Sequence, residues 1–258
     1  MTRARGGERA DRREDHDDET TFLAAYDLTA YPRPALTVDV AILTVLEDAI
    51  HALLVQRPSQ PAKGQWALPG GFVGLDESLP DAVERVLARE TGLTGVYTAQ
   101  LATFGAVDRD PRGRVVTVAH YALVPAGTLV DAVSARPATL LARVDASPGG
   151  GPGGFSVRGP EGELALAFDH REILTEALAR VRWRLWHAPV AFALLPEEFT
   201  LLELLRVYEA VLGRSLDKNS FRRRIRASGL VAPLGRRREG LRARPAELYR
   251  CAGPDADP

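Results

Sequence analysis

The sequence predicts an α+β chain in two parts: a larger region of strands and helices, and a smaller, basic, mostly helical region towards the C-terminal end. Three observations predict it. Residues 37–46 (TVDVAILTVL) and 49–56 (AIHALLVQ) are apolar, strand-like runs. A Gly-Gly turn feeds an amphipathic helix between Ser78 and Gly92. From Arg206 to Arg250, thirteen arginines and lysines stand against four carboxylates, an excess that suits a polyanionic partner.

Length and composition bound the answer. The 258 residues suit one domain of about 150 residues plus a smaller one. Hydrophobic content of 45% and charged content of 26% are those of a soluble globular protein. The single cysteine, Cys251, rules out an internal disulfide and a cysteine-based zinc cluster. No apolar run reaches membrane length and the first residues are charged, so no secretion signal or membrane span is expected and the cytoplasm is the expected location. Lysine occurs only at Lys63 and Lys218. Arginine is therefore this chain's default cation, and its abundance alone says nothing about anion binding.

In chain order, residues 1–20 mix both charge signs without an apolar pattern and are expected to be a disordered tail. The prolines of YPRPAL (31–36) extend the chain into the first strand, and Glu47 and Asp48 form the turn to the second. Arg57 ends that second strand, and a polar loop leads through Trp66 to the turn at Gly70 and Gly71. Ser78 with Asp81 three residues later is a capping box, with Pro80 in the first turn. Leu79, Val83 and Leu87 recur at helical spacing, Glu84, Arg85, Arg89 and Glu90 lie on the other face, and Gly92 is placed to end the helix left-handed.

The order of residues from Gly71 to Leu93 resembles the Nudix box of the Nudix hydrolases. Gly71, Glu77, Arg85, Leu87, Glu90, Gly92 and Leu93 fall on the family pattern, whereas Val86 and Arg89 stand where it has glutamates. The resemblance implies an α/β/α sandwich with a mixed sheet, and a site for a nucleotide diphosphate, in which helix carboxylates hold magnesium or manganese. With valine, arginine and one glutamate at positions 86, 89 and 90, no metal is expected, Glu77 and Glu90 being residual candidate ligands. A guanidinium can grip phosphate without a metal. The expectation is a pocket that binds without turnover, no catalytic residue and no cofactor. Arg85, Arg89 and the strand-end Arg57 are candidate phosphate contacts.

Residues 97–108 and 115–124 read as two further strands around the loop RDPRGR (109–114). By the same resemblance Phe104 and Arg109 lie near the nucleotide. Residues 146–161 (DASPGGGPGGFSVRGP) read as a flexible Gly/Pro insertion. After an apolar run at 164–168, Asp169 is placed as the N-cap of a long helix with Ile173, Leu174, Ala177, Leu178, Val181 and Leu185 on one face.

Phe192 to Pro196 marks a boundary. Residues 200–212 form an amphipathic helix ended by Gly213, and Asp217 caps a second helix, KNSFRRRIRASG, stopped by Gly229. Phe221 and Ile225 are expected inward; Arg222, Arg223 and Arg226 outward, with Lys218 and Asn219 at the N-terminus. This is the pattern of a helix-turn-helix with its recognition helix second. Residues 230–233 and 245–249 suit two strands of a wing, and GRRREG (235–240), with Arg236, Arg237 and Arg238, its tip. The expected organisation is a tail at 1–20, a sensing domain at 21–190, a winged helix-turn-helix domain at 191–251 and a tail at 252–258.

The Nudix-like front followed by this C-terminal pattern resembles the Nudix-related transcriptional regulators of NAD metabolism. The resemblance implies a homodimeric repressor that senses ADP-ribose or a related nucleotide and holds palindromic operator DNA. Two alternatives stay open: a divergent nucleotide-diphosphate hydrolase with a basic accessory domain, and a sensor of a sugar phosphate or another nucleotide.

Overall fold

The computed structural model describes residues 19–146, 154–186, 188–240 and 243–252. The expected tail at 1–20 lies outside these residues except for Glu19 and Thr20, which open helix α1 (Glu19–Ala25). This helix and the short turn Leu28–Ala30 form a unit of their own, residues 1–33, in which Tyr26 sits 5.2 Å from Phe22 and 6.2 Å from Tyr31, ring to ring.

The second unit, residues 34–258, contains the sheet. Strand β1 (Ala35–Leu46) turns through Glu47 and Asp48 into β2 (Ala49–Gln56). Both turn residues have positive φ, 50° and 58°, the mirror-image turn that matches the twist of a hairpin. Short strands β3 (Trp66–Ala67) and β4 (Gly70–Phe72) pair with β2 and β1, and α2 (Leu79–Thr91) follows. Next come β5 (Tyr97–Phe104), β6 (Val115–Leu123), α3 (Ala126–Ser134), β7 (Thr139–Ala146), β8 (Phe155–Gly159), β9 (Gly162–Glu163) and α4 (His170–Arg184). The strand order is β5-β6-β1-β2-β7-β8-β9, parallel between β1 and β6 and antiparallel elsewhere, so the sheet is mixed.

The two-residue period of β1 splits its side chains between two layers. Val38, Val40 and Ile42 join Val83, Val86 and Leu87 of α2 and Leu129 of α3. Ala41 and Leu43 join Ile173, Leu174 and Ala177 of α4. The result is an α/β/α sandwich, and the same alternation sends Asp39 to the α4 side.

A six-residue 3-10 helix, Pro189–Leu194, leads to β10 (Phe199–Thr200), α5 (Leu201–Leu212), α6 (Lys218–Ala227), β11 (Val231–Gly240) and β12 (Ala243–Cys251). The three strands form a small sheet in the order β10-β12-β11. Leu201, Leu204, Tyr208, Phe221, Ile225 and Tyr249 belong to the same buried cluster as the α4 side of the sandwich, so one apolar interior runs from the large sheet into the helix-turn-helix.

Two expectations are corrected. The insertion proposed at 146–161 ends earlier: residues 155–159 form β8, paired with β7, because Phe155 and Val157 alternate into the core at 2% and 0% exposure. Residues 147–153 of that stretch lie outside the described residues. The wing strand β11 continues to Gly240, so Arg236 to Arg238 ride on a strand and not on a tip. Asp169 holds the N-cap position of α4 as expected, but its side chain makes no capping bond, because its carboxylate is taken by an arginine. Patterning also gives no sign of α3, which begins after Pro125 without any side-chain cap. Among the described residues no helix is long and apolar enough to cross a membrane.

Candidate functional site

The cleft is made where the Gly-Gly turn crosses the end of β1. A Cβ on Gly70 would overlap the Asp39 carboxylate and lie 2.8 Å from the Val38 carbonyl, so only glycine lets the chain pass there. Residues of β1, of the segment after β2, of the Gly-Gly turn, of α2, of the β5–β6 loop and of the segment before α4 then enclose a cavity of about 490 Å³.

Its floor is a buried ionic network. Arg109 donates from Nε and Nη2 to the two oxygens of Asp169, both at 2.8 Å, and from Nη2 to Asp39 at 3.3 Å. Burial works against the Arg109 charge, but the Asp169 and Asp39 carboxylates outweigh it and hold its pKa above the ordinary value. The Leu68 amide donates to His170 Nδ1 at 2.8 Å, which leaves the proton of the neutral ring on Nε2, 3.7 Å from Asp39. Burial keeps the His170 pKa low.

The walls carry the cations. Arg57 donates Nε to the Pro61 carbonyl at 2.8 Å, and its guanidinium carbon lies 4.7 Å from the Phe168 ring centre. Burial and the neighbouring Arg112 both lower its pKa. Arg112 is bound to Asp110 at 2.7 and 3.0 Å and lies 5.2 Å from the Phe72 ring centre. Arg89 is half exposed at the rim; its Nε donates to Glu90 at 2.6 Å and its Nη2 to the Gly70 carbonyl at 2.8 Å.

These contacts test the metal implied by the Nudix resemblance. Of the two residual candidate ligands, Glu90 is held by the Arg89 guanidinium, which also binds the Gly70 carbonyl, and Glu77 is held by Arg85. Val86 is fully buried against the sheet. Among the described residues no three His, Cys, Asp or Glu side chains are grouped to hold a metal ion. The residues do not fit a divalent metal.

Several sequence candidates have other roles. Arg85 is outside the cleft: it binds both oxygens of Glu77 and the Phe72 carbonyl, and so clamps the loop before α2. Those bonds, with the Gly74 amide, bring the Glu77 pKa down to about 2. Phe104 packs on the apolar core instead of lining the cleft. Arg109 does line it, yet its guanidinium is committed to carboxylates. Arg112, Phe168, Asp39 and His170 were not singled out by sequence. The available signals were Arg112 in a three-arginine loop and Asp39 as the lone acid in an apolar strand.

In the C-terminal region Thr200 and Glu203 form a capping box on α5, Gly213 ends that helix left-handed at φ 66°, and Asp217 accepts from the Ser220 amide to start α6. Phe221 and Ile225 are buried. Lys218, Asn219 and Arg223 are exposed and Arg222 is half-buried, and none of the three cations has an ion-pair partner among the described residues. Arg226 instead binds Tyr249 Oη at 2.8 Å and Glu247 at 3.4 Å. Arg236 pairs with Glu198 and Arg238 with Glu203, both on one side of β11, whereas exposed Arg237 makes no ion pair among the described residues. Arg224 lies against Trp186, 3.9 Å from its ring centre, at the far end of α4.

Two family models match the chain: the NUDIX domain over residues 35–137 and the NrtR DNA-binding winged helix domain over residues 191–251. The chain is 36% identical to the ADPR responsive transcriptional repressor NtrR of Acinetobacter baylyi, across 93% of this chain and 90% of that protein. It is 32% identical to an ADP-ribose pyrophosphatase of Methanocaldococcus jannaschii across 60% of this chain and 77% of the enzyme. The crystal structure of Shewanella oneidensis NrtR complexed with a 27mer DNA superposes with a TM-score of 0.71 at 34% identity, covering 86% of this chain and 94% of the other.

Proposed function

This chain belongs to the NrtR family of Nudix-related transcriptional regulators, and from that premise we propose that it is a repressor whose winged helix holds operator DNA and whose Nudix cleft senses ADP-ribose or a close nucleotide relative. One observation carries the reading: the cleft cations Arg57 and Arg112 share a chain with a recognition helix on which Lys218, Arg222 and Arg223 have no ion-pair partner among the described residues, while Phe221 and Ile225 anchor it. Arg57, Arg112 and the remaining N–H groups of Arg89 face the ligand's diphosphate. Lys218, Asn219, Arg222 and Arg223 meet the major groove, and Arg237 a neighbouring phosphate. Two copies on a palindromic operator are the natural arrangement for such a helix.

The domain binds its ligand without hydrolysing it, because Arg89 holds Glu90 and Arg85 holds Glu77, the two residual candidate ligands for the metal that assisted attack requires. A hydrolase is the second reading, favoured by the relationship to the archaeal pyrophosphatase. For repression to respond, ADP-ribose must bind the DNA-free arrangement more tightly than the DNA-bound one. A gel shift on DNA upstream of the chain's own gene tests this: a retarded band that ADP-ribose abolishes is expected. No band, or rapid release of AMP from ADP-ribose with magnesium or manganese, would overturn it.

A further inference from the structure

Phe168 is out of place as a structural residue. Its φ is +53°, in the left-handed region that a bulky side chain rarely adopts. Both flanks fix it there. The Ala167 amide donates to the Trp66 carbonyl at 2.8 Å, and His170 is tied to the Leu68 amide. Strain of this kind is usually offset by burial of the ring, yet Phe168 belongs to neither apolar core cluster among the described residues. It is half-buried and lines the cleft.

The ring touches His170, 5.5 Å away centre to centre, and Arg57. The guanidinium lies over its face while Nε is fixed to the Pro61 carbonyl. Arg57 has no carboxylate ion-pair partner among the described residues; Arg112 repels it more than Asp110 or Asp39 attracts it. A desolvated cation beside a second cation would swing towards water unless something held it, and an aromatic face attracts a guanidinium without neutralising it.

We propose that Phe168 is a positioning residue for ligand recognition: its ring holds the Arg57 guanidinium in plane, charged and unpaired, so that its free N–H edge meets the diphosphate of the bound nucleotide. This rests on the cleft being the ligand site, as proposed above. The strained backbone is kept because it puts the ring under Arg57. A carboxylate in the same place would also hold the arginine, but would cancel the charge the ligand needs.

The test compares Phe168→Leu, Phe168→Tyr and Phe168→Gly in the full chain by calorimetric titration in EDTA, with thermal melting alongside. The probes are ADP-ribose and, separately, inorganic pyrophosphate. Phe168→Leu should weaken ADP-ribose binding roughly 2- to 30-fold, the range set by a cation–π contact, and Phe168→Tyr should restore it. Phe168→Gly should bind weakly but melt no lower than the parent, since glycine adopts the left-handed backbone without strain. Unchanged affinity in Phe168→Leu, or equal loss in Phe168→Leu and Phe168→Tyr, would overturn the proposal, as would a lowered melting point in Phe168→Gly with affinity intact. A parent that binds pyrophosphate but not ADP-ribose would remove the ADP-ribose reading alone, and Phe168 would then be judged on pyrophosphate. A parent that binds neither would remove both.

Discussion

Arg109 lines the cleft, is 5% exposed and is bound to two carboxylates of its own chain. It is structural cement at the floor of the cleft. Removing it leaves Asp39 and Asp169 buried without a counter-charge, so Arg109→Ala should cost about 3–5 kcal/mol of stability, measured by urea unfolding. Glu77 gives a second check. Arg85 holds its carboxylate near pKa 2, so whatever stability the clamp lends is fully present above the ordinary carboxylate range and is lost as pH falls towards 2. An NMR titration should place the Glu77 midpoint at about 2, and Arg85→Ala should raise it towards the ordinary glutamate range without reaching it, because the Gly74 amide still donates to the carboxylate. Neither pairing was legible in the sequence, because each depends on which loop oxygen or carboxylate the fold brings within 3 Å. The Gly-Gly turn, Arg89 and Glu90 were legible because the spacing that marks them is local.

At the scale of elements the same distinction holds. Helix α2 was legible at both ends, since Ser78 with Asp81 caps its start and left-handed Gly92 its stop; α5 was legible at its stop, Gly213, while the box that Thr200 and Glu203 form at its start was not read. β8 was hidden because only Phe155 and Val157 carry its pattern beside a Gly/Pro-rich run. On β11 the two-residue period decides which arginines are available: Arg236 and Arg238 turn to Glu198 and Glu203, leaving Arg237. On α6 the helical period turns Arg224 to Trp186 and leaves Arg223 outward. Arg223→Ala should therefore weaken operator binding and reduce the dependence of log affinity on log salt by about one unit, if its partner is a phosphate. Fluorescence anisotropy at several salt concentrations would show it; an unchanged affinity would take Arg223 out of the interface.

For the whole molecule, the sequence boundary near residue 191 marks a change of role, but the packing is continuous across it. Tyr208 lies 4.6 Å from the Trp186 ring and 5.0 Å from the Phe221 ring and donates to the Leu185 carbonyl at 2.9 Å. Burial pushes its pKa up to about 12. Arg182 donates to the Val211 carbonyl at 2.9 Å. Residues 34–258 should unfold in one transition, with calorimetric and van't Hoff enthalpies in agreement; two separate transitions would show that the regions melt independently. Continuity of this kind also limits how a bound nucleotide can loosen DNA. A hinge between α4 and α5 would have to prise Tyr208 out of its aromatic nest and into water. The cheaper movement is for each copy in the proposed dimer to travel as one piece. Release would then come from a mismatch in pitch, the two reading helices no longer one duplex turn, about 34 Å, apart.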